Sequence, residues 1–484
     1  MVVRTGRQIR PFWQPCWSTR SVVVVEVNGY EIGPGVTLVN ADLREANLEG
    51  ANLEGATFKG GQLMGVNLAG ANLARATTES IVSFAGADLS GASLQEANLS
   101  GIFNGANLKG ANLSGANLPG LLLEGADLSG ADLLGANLRR TQFANANFEG
   151  AIFEGADLSG ANYDVIAEVY EEKTNLLPPA VEANFHLASF VNATLEGTNL
   201  RKSTLSGADL TGADLGKAHL NSVDLVGADL SKANLEGAIL TGATLDGANL
   251  DRTNLTEATL GRATFAGANL KAANCERALL GGASLSGAKL QMVNLRGAVL
   301  SGANLSGLDL RGVILEEATL YAANLSQAVF GPKDFSNSTL PVANLGGANF
   351  TGNWKEAASF EGAHLAGANL AIGQFPGANF TGANLEGAHL FKANIRGANF
   401  TGANLEGANL RHAAIEGADF KDAWIGDANF LGAFVHHEPV SFEGAIANET
   451  TVFPPRYRGE VPPGVVFASE RPPGYPAWDF PLGA

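Results

Sequence analysis

The chain has 484 residues, with Lys+Arg 31 against Asp+Glu 48 and a formal net charge of −17. Such acidity disfavours direct binding to nucleic acid or anionic membranes, and Cys16 and Cys275 alone cannot build a disulfide framework or a paired-cysteine metal site. Glycine is abundant (Gly 61), but it recurs at a fixed place beside leucine, which excludes low-complexity disorder.

In chain order, residues 1–21 read as a basic irregular arm carrying Arg4, Arg7, Arg10 and Arg20. The apolar run from Val22 to Val27 is broken by Glu26 and is too short for a signal core or a membrane span, so a cytoplasmic location is expected. Residues 22–37 are expected to form a capping strand followed by a tight turn at Asn28-Gly29. A first repeat array occupies 38–163. It stumbles over Ala74 to Ser83, resumes one residue out of phase at Phe84, and regains phase at Phe103. A bulge or corner loop is expected at the stumble.

An insert at 164–183 breaks the pattern, with a short helix expected before Pro178-Pro179. A second array fills 184–437. From Phe185 to Val435 every fifth residue is Leu, Phe, Ile, Val or Cys, and the one exception is Lys355. Residues 438–484 form a Pro-rich tail, which cannot be regular helix or central strand and is expected to lie along the array or hang free.

A period of five matches neither strand alternation nor a helical turn. The unit reads Ala-(Asn/Asp)-Leu-x-Gly, as in Ala208-Asp209-Leu210-Thr211-Gly212. In an extended segment the Leu and the Ala two before it share one face, and the residue between them points the other way. The polar residue and Gly that follow make a corner. Each unit is therefore one side of a coil whose interior is filled by stacked Leu and Ala. Phe360, Phe380, Phe400 and Phe420 recur every twenty residues, and in a coil of that length they would stack as one aromatic column inside a single face.

These A(D/N)LxG units resemble the pentapeptide repeat family. The resemblance implies an all-β right-handed quadrilateral β-helix, a solenoid of about 19 coils in two arrays separated by the insert. It also implies a non-enzymatic rod acting as a protein-interaction scaffold or regulator. Family members that protect topoisomerases from quinolones resemble duplex DNA, so the alternative is an acidic DNA mimic that binds a type II topoisomerase (gyrase).

No catalytic, cofactor or metal constellation stands out. The histidines lack ligand spacing, no glycine-rich phosphate loop follows a strand, and the carboxylates recur at repeat spacing. Two surface features remain. Ala is replaced two before the centre by Lys333, Asn353 and Gly373 on one face of three successive coils, which suggests a patch for an unknown protein partner formed by Lys333, Asn353, Trp354, Lys355 and Gln374. An acidic set of Asp209, Asp214, Asp224, Asp229, Asp246 and Asp251 is expected on adjacent faces of neighbouring coils.

Overall fold

The computed structural model describes residues 25–162, 181–329, 358–435, 438–457 and 460–473. The repeat unit behaves as its residue order dictates. In Ala233-Asn234-Leu235, Ala and Leu are buried and Asn faces out. The outward residue forms a parallel bridge with its counterpart in the next coil, as in Asn234↔Asn254↔Asn274. Leu235 N–H donates to the Asn254 carbonyl at 2.7 Å, and Asn254 N–H donates back to the Ala233 carbonyl at 3.0 Å. The corner closes when Ala238 N–H donates to the Leu235 carbonyl at 3.0 Å, with Gly237 at φ 64°. Each side of a coil is thus a ladder about one residue wide, and its buried backbone groups are satisfied by the coils above and below. The result is an all-β, right-handed quadrilateral β-helix of about 19 coils. No α-helix occurs among the described residues.

A hairpin closes the N-terminal end of the described coils. Strand β1 (Val25–Val27) pairs antiparallel with β2 (Tyr30–Ile32). They are joined by Asn28 and Gly29, both at positive φ (52° and 81°), the mirror-image turn that Asn-Gly favours. Ile32 is buried, and Val27, Tyr30 and Val36 pack against the core, so the hairpin covers apolar side chains that would otherwise face water. The first coils carry the longest strands, β3 (Thr37–Asp42) and β4 (Thr57–Gln62), paired in parallel.

The stumble is a one-residue bulge. Gln62 pairs with Ser83 rather than with residue 82, and Ile81 stands out, 73% exposed, between β5 (Thr77–Thr78) and β6 (Val82–Ser83). The next coil is one residue short: Ser83 pairs with Ile102 in β7 (Gly101–Ile102), after which register is restored. Coil length flexes at a corner while each inward Leu or Phe keeps its column.

The expected insert helix lies outside the described residues, but its flanks are informative. Phe148 N–H donates to the Asn184 carbonyl and Phe153 N–H to the Ser189 carbonyl, both at 2.6 Å, so the two arrays stack directly on one another. The seam is packed with aromatics. Phe148 stacks on Phe185 with ring centroids 4.8 Å apart, and Phe153 stacks on Phe190 at 4.6 Å. Ring pairs of this kind add about 0.5–1.5 kcal/mol each beyond area burial, which stabilises a joint where the chain departs and returns.

The predicted Phe column is present. Phe360, Phe380, Phe400 and Phe420 stack at 4.8, 4.8 and 4.9 Å. It then continues to Phe442, 5.2 Å from Phe420 and inside the segment read as a tail. Much of 438–473 adds a further coil. Ser441, Ile446 and Val452 bridge Asp419, Trp424 and Asn429, and β8 (Ile446–Ala447) pairs in parallel with β9 (Val466–Phe467). The unit Ser441-Phe442-Glu443-Gly444 keeps the buried centre and the left-handed corner glycine, displaced from the five-residue phase. Pro454 and Pro455 sit at a 3-10 turn, Pro455–Tyr457, outside the ladder strands.

Candidate interaction surfaces

The outward side chains are mostly occupied in holding the coils together. An outward Asn accepts from the N–H two residues ahead, as Asn254 does from Thr256 at 3.1 Å. Its amide donates to the same position one coil earlier, as from Asn254 to Asn234 at 2.9 Å and from Asn67 to Asn47 at 3.1 Å. An outward Asp can only accept, so it fits the ladder where the next coil supplies an amide. Asn234 donates to Asp214 at 2.8 Å and Asn249 to Asp229 at 3.0 Å.

The acidic set lies on adjacent faces and wraps round the coil. Asp209 and Asp229 are bridged neighbours on one face, Asp224 occupies the face before and Asp214 the face after. Asp246 and Asp251 sit at corners. Five of the six accept a backbone or ladder hydrogen bond: Asp209 from Thr211 N–H, Asp214 from Gly216, Asp224 from Val226, Asp229 from Ser231 and Asp246 from Ala266. Partial burial pushes the Asp229 carboxyl up, but the Ser231 hydroxyl and N–H and the Asn249 amide outweigh it, and the net shift is downward.

Of the disturbed stripe, Lys333, Asn353, Trp354 and Lys355 lie outside the described residues. Gln374 is half-buried and its side-chain oxygen accepts from Asn394 at 2.9 Å, so it joins the Asn ladder of its face.

Two features near the C-terminal end were not anticipated. Trp424 occupies an outward position yet is only 1% exposed, and its indole N–H donates to Glu406 at 3.1 Å. Arg471 returns to this face, its Nη1 3.0 Å from Glu386 and 3.1 Å from Glu406. Asn384 and Asn404, outward on the same face, are buried as well. The segment ending at Arg471 therefore straps the Asn384–Asn404–Trp424 face. The ring lies over Gly426, where a Cβ would meet it at 2.3 Å. The second feature is a depression of about 500 Å³ between Phe391 and Phe434, floored by Ala414 and edged by Lys392, Arg396 and His412. Its only sequence signal is Ala414 and Phe434 at outward positions, where most units place Asn, Asp or Thr.

Among the described residues, no group of three or more His, Cys, Asp or Glu is placed to hold a metal ion, and no helix is long and apolar enough to cross a membrane. Cys275 sits in a Leu column, and burial pushes its thiol up to about 12. Burial likewise lowers the pKa of His364.

Models of pentapeptide repeats match the chain at 34–60, 82–160, 180–316, 358–397 and 400–446. No curated protein matches it. Among solved structures, the chain is similar to HetL, a pentapeptide repeat protein involved in heterocyst differentiation regulation from the cyanobacterium Nostoc sp. strain PCC 7120. That match has 32% identity, covers 58% of this chain and 89% of HetL, and has a TM-score of 0.21. Rfr23 from the cyanobacterium Cyanothece 51142 is 32% identical over 26% of this chain and 90% of its own, with a TM-score of 0.16. QnrB1, a plasmid-mediated fluoroquinolone resistance protein, is 23% identical over 42% and 90%, with a TM-score of 0.26. With repeat models matching along most of its length, and coils whose inward, outward and corner positions follow the repeat, the chain belongs to the pentapeptide repeat family.

Proposed function

We propose that this protein is a non-enzymatic, cytoplasmic interaction scaffold or regulator that holds a protein partner against the sides of its coils. The observation that carries this reading is the division of labour within each unit. Inward residues build the core and outward Asn and Asp bind the neighbouring coil, while corner side chains are free to vary at a fixed repeat. Such a surface suits recognition of an extended partner better than chemistry, which needs a nucleophile, an acid and a base gathered in one place. The dispersal of the acidic set over three faces favours a scaffold over a DNA mimic that would bind gyrase.

The partner contact proposed for Lys333, Asn353, Trp354, Lys355 and Gln374 belongs to this reading. Crosslinking mass spectrometry in the native cell tests the scaffold itself. Reproducible crosslinks from one partner along the coils are expected, and a crosslink map no richer than that of an unrelated acidic protein would overturn it. A Trp354→Ala, Lys355→Glu double variant that folds and keeps every crosslink removes this patch alone.

A further inference from the structure

Corner cations of this protein commonly stack against an acid one coil away: Lys59 with Glu79, Lys202 with Glu182, Arg277 with Glu257 and Arg296 with Glu317. The corner at 371–372, 391–392, 411–412 and 431–432 departs from that rule. Its two columns run Ala371, Phe391, Arg411, Leu431 and Ile372, Lys392, His412, Gly432. Lys392 and Arg411 form no ion pair with any described carboxylate, and Lys392 instead lies 5.3 Å from the centre of the Phe391 ring. Arg396 is paired with the buried Glu416 and holds the opposite edge.

Two small residues make room here. Ala414 leaves a gap between Asn394 and Phe434 in the outward ladder. Gly432 lets the His412 ring settle over the next coil, since a Cβ there would meet Nδ1 at 2.5 Å. Phe434, 45% exposed, borders the gap, and Ile372, 62% exposed, lies two coils away in the corner column of Lys392 and His412. On a chain of net charge −17, cations with no described carboxylate partner, beside the half-buried Phe391 and the exposed Phe434, form a local reversal of the prevailing surface.

We infer that the depression between Phe391, Ala414 and Phe434 is a docking site for a partner-protein segment that presents an aromatic or large aliphatic side chain flanked by carboxylates. The apolar side chain fills the gap over Ala414, and the carboxylates meet Lys392 at its edge and Arg411 on the adjoining corner. The volume is that of a small-ligand or side-chain pocket, and the charges complement an acidic segment while repelling a basic one. This inference rests on the scaffold reading and places one contact within it.

The test uses three fluorescent peptides against the full chain, read by anisotropy: an acidic-aromatic peptide (Asp-Glu-Phe-Asp-Leu-Glu), its basic counterpart (Lys-Arg-Phe-Lys-Leu-Arg) and an acidic peptide without apolar residues. Saturable binding of the first alone is expected. It should weaken at least tenfold in Ala414→Trp, which fills the gap, and in Lys392→Glu, Arg411→Glu, which reverses its charge. Both variants change only surface side chains, and unaltered circular dichroism and melting verify folding. Absence of saturable binding at millimolar peptide, equal binding of the basic peptide, or binding unaffected by Ala414→Trp would each overturn the inference. So would a concentration-dependent dimer abolished by Ala414→Trp, because the occupant would then be a second copy. Crosslinks elsewhere along the coils would survive all of these outcomes and leave the scaffold reading standing.

Discussion

Coils 229–274 and coils 384–434 share one backbone geometry and one core, yet their outer faces differ. In the first group the face through Asn234, Asn254 and Asn274 is a ladder of amides, each side chain bound to its own turn or to a neighbouring coil. In the second, Trp424 and Phe434 take outward positions, one under the Arg471 strap and the other beside an open depression. The core tolerates either choice because Ala and Leu, not the residue between them, fill the interior. Release from the amide ladder is what frees an outward position to pack against something else.

The largest expected effect lies in what those positions contribute to stability. Trp424→Ala should destabilise the C-terminal coils by about 3–5 kcal/mol, as for a buried aromatic, because the buried ring lies over Gly426 and its N–H is satisfied by Glu406, the carboxylate that also holds Arg471. Asn254→Ala should cost only about 1 kcal/mol, the net worth of a part-buried hydrogen bond. Denaturant melts measure both, and limited proteolysis should show faster cleavage near residue 470 in the first variant alone. Equal costs would mean that the strap adds nothing beyond the ladder it replaces.

The two groups also differ in how legible they were. Strict period five, with Ala two before Leu, specifies coil and register, because a slip would expose a whole Leu column to water. The twenty-residue column from Phe360 was likewise readable, since in a coil of twenty residues rings at that spacing fall one above the other. The coil formed by 441–467 escaped notice because its units are spaced unevenly and prolines crowd the turn between them. The site was harder still. It depends on residues that break the repeat, such as Ala414 and Trp424, and whether such a residue is bare or strapped depends on chain that arrives some fifty residues later. Of the patch proposed around Trp354, only Gln374 lies among the described residues, and it proves to be a rung of a ladder.

Acid should sharpen the contrast from the ladder side. The Asp229 carboxyl titrates below its ordinary value of 3.8, raised by burial but lowered more by Ser231 and Asn249. Asp157 behaves alike, with Ser159 and Arg139 outweighing burial. Asp309 is lowered chiefly by the Arg311 guanidinium. A carboxyl with a depressed folded pKa stabilises the fold fully above its unfolded pKa, about 3.9, and that stability is lost as pH falls through the lower folded value. Melting temperature should therefore hold between pH 7 and 5 and fall below about pH 4. In the triple variant Asp157→Asn, Asp229→Asn, Asp309→Asn the fall should be shallower. Parallel profiles for the two proteins would show that these ladder acids contribute no folding energy.

The smallest effect concerns the corners, which obey the same rule throughout the described coils but fill it with different residues. The second residue after each central Leu is held at left-handed φ whatever its identity: Gly237 has φ 64°, Leu187 φ 56° and Ile372 φ 58°. For an L-residue this conformation costs about 1–2 kcal/mol, and a β-branched side chain is the least suited to it. Leu187 is 59% exposed, so Leu187→Gly removes strain with little loss of packing. The glycine's greater freedom when unfolded offsets about 0.5–1 kcal/mol of that gain, leaving a net stabilisation of roughly 0.5 kcal/mol. Ile372→Gly relieves more strain and should stabilise more, unless the Ile372 side chain is itself packed against the rim of the depression. Paired denaturant melts of the two variants separate these cases. A gain at 187 with a loss at 372 would mean that the C-terminal corner keeps a strained isoleucine for its surface, whereas equal gains would make it an ordinary corner.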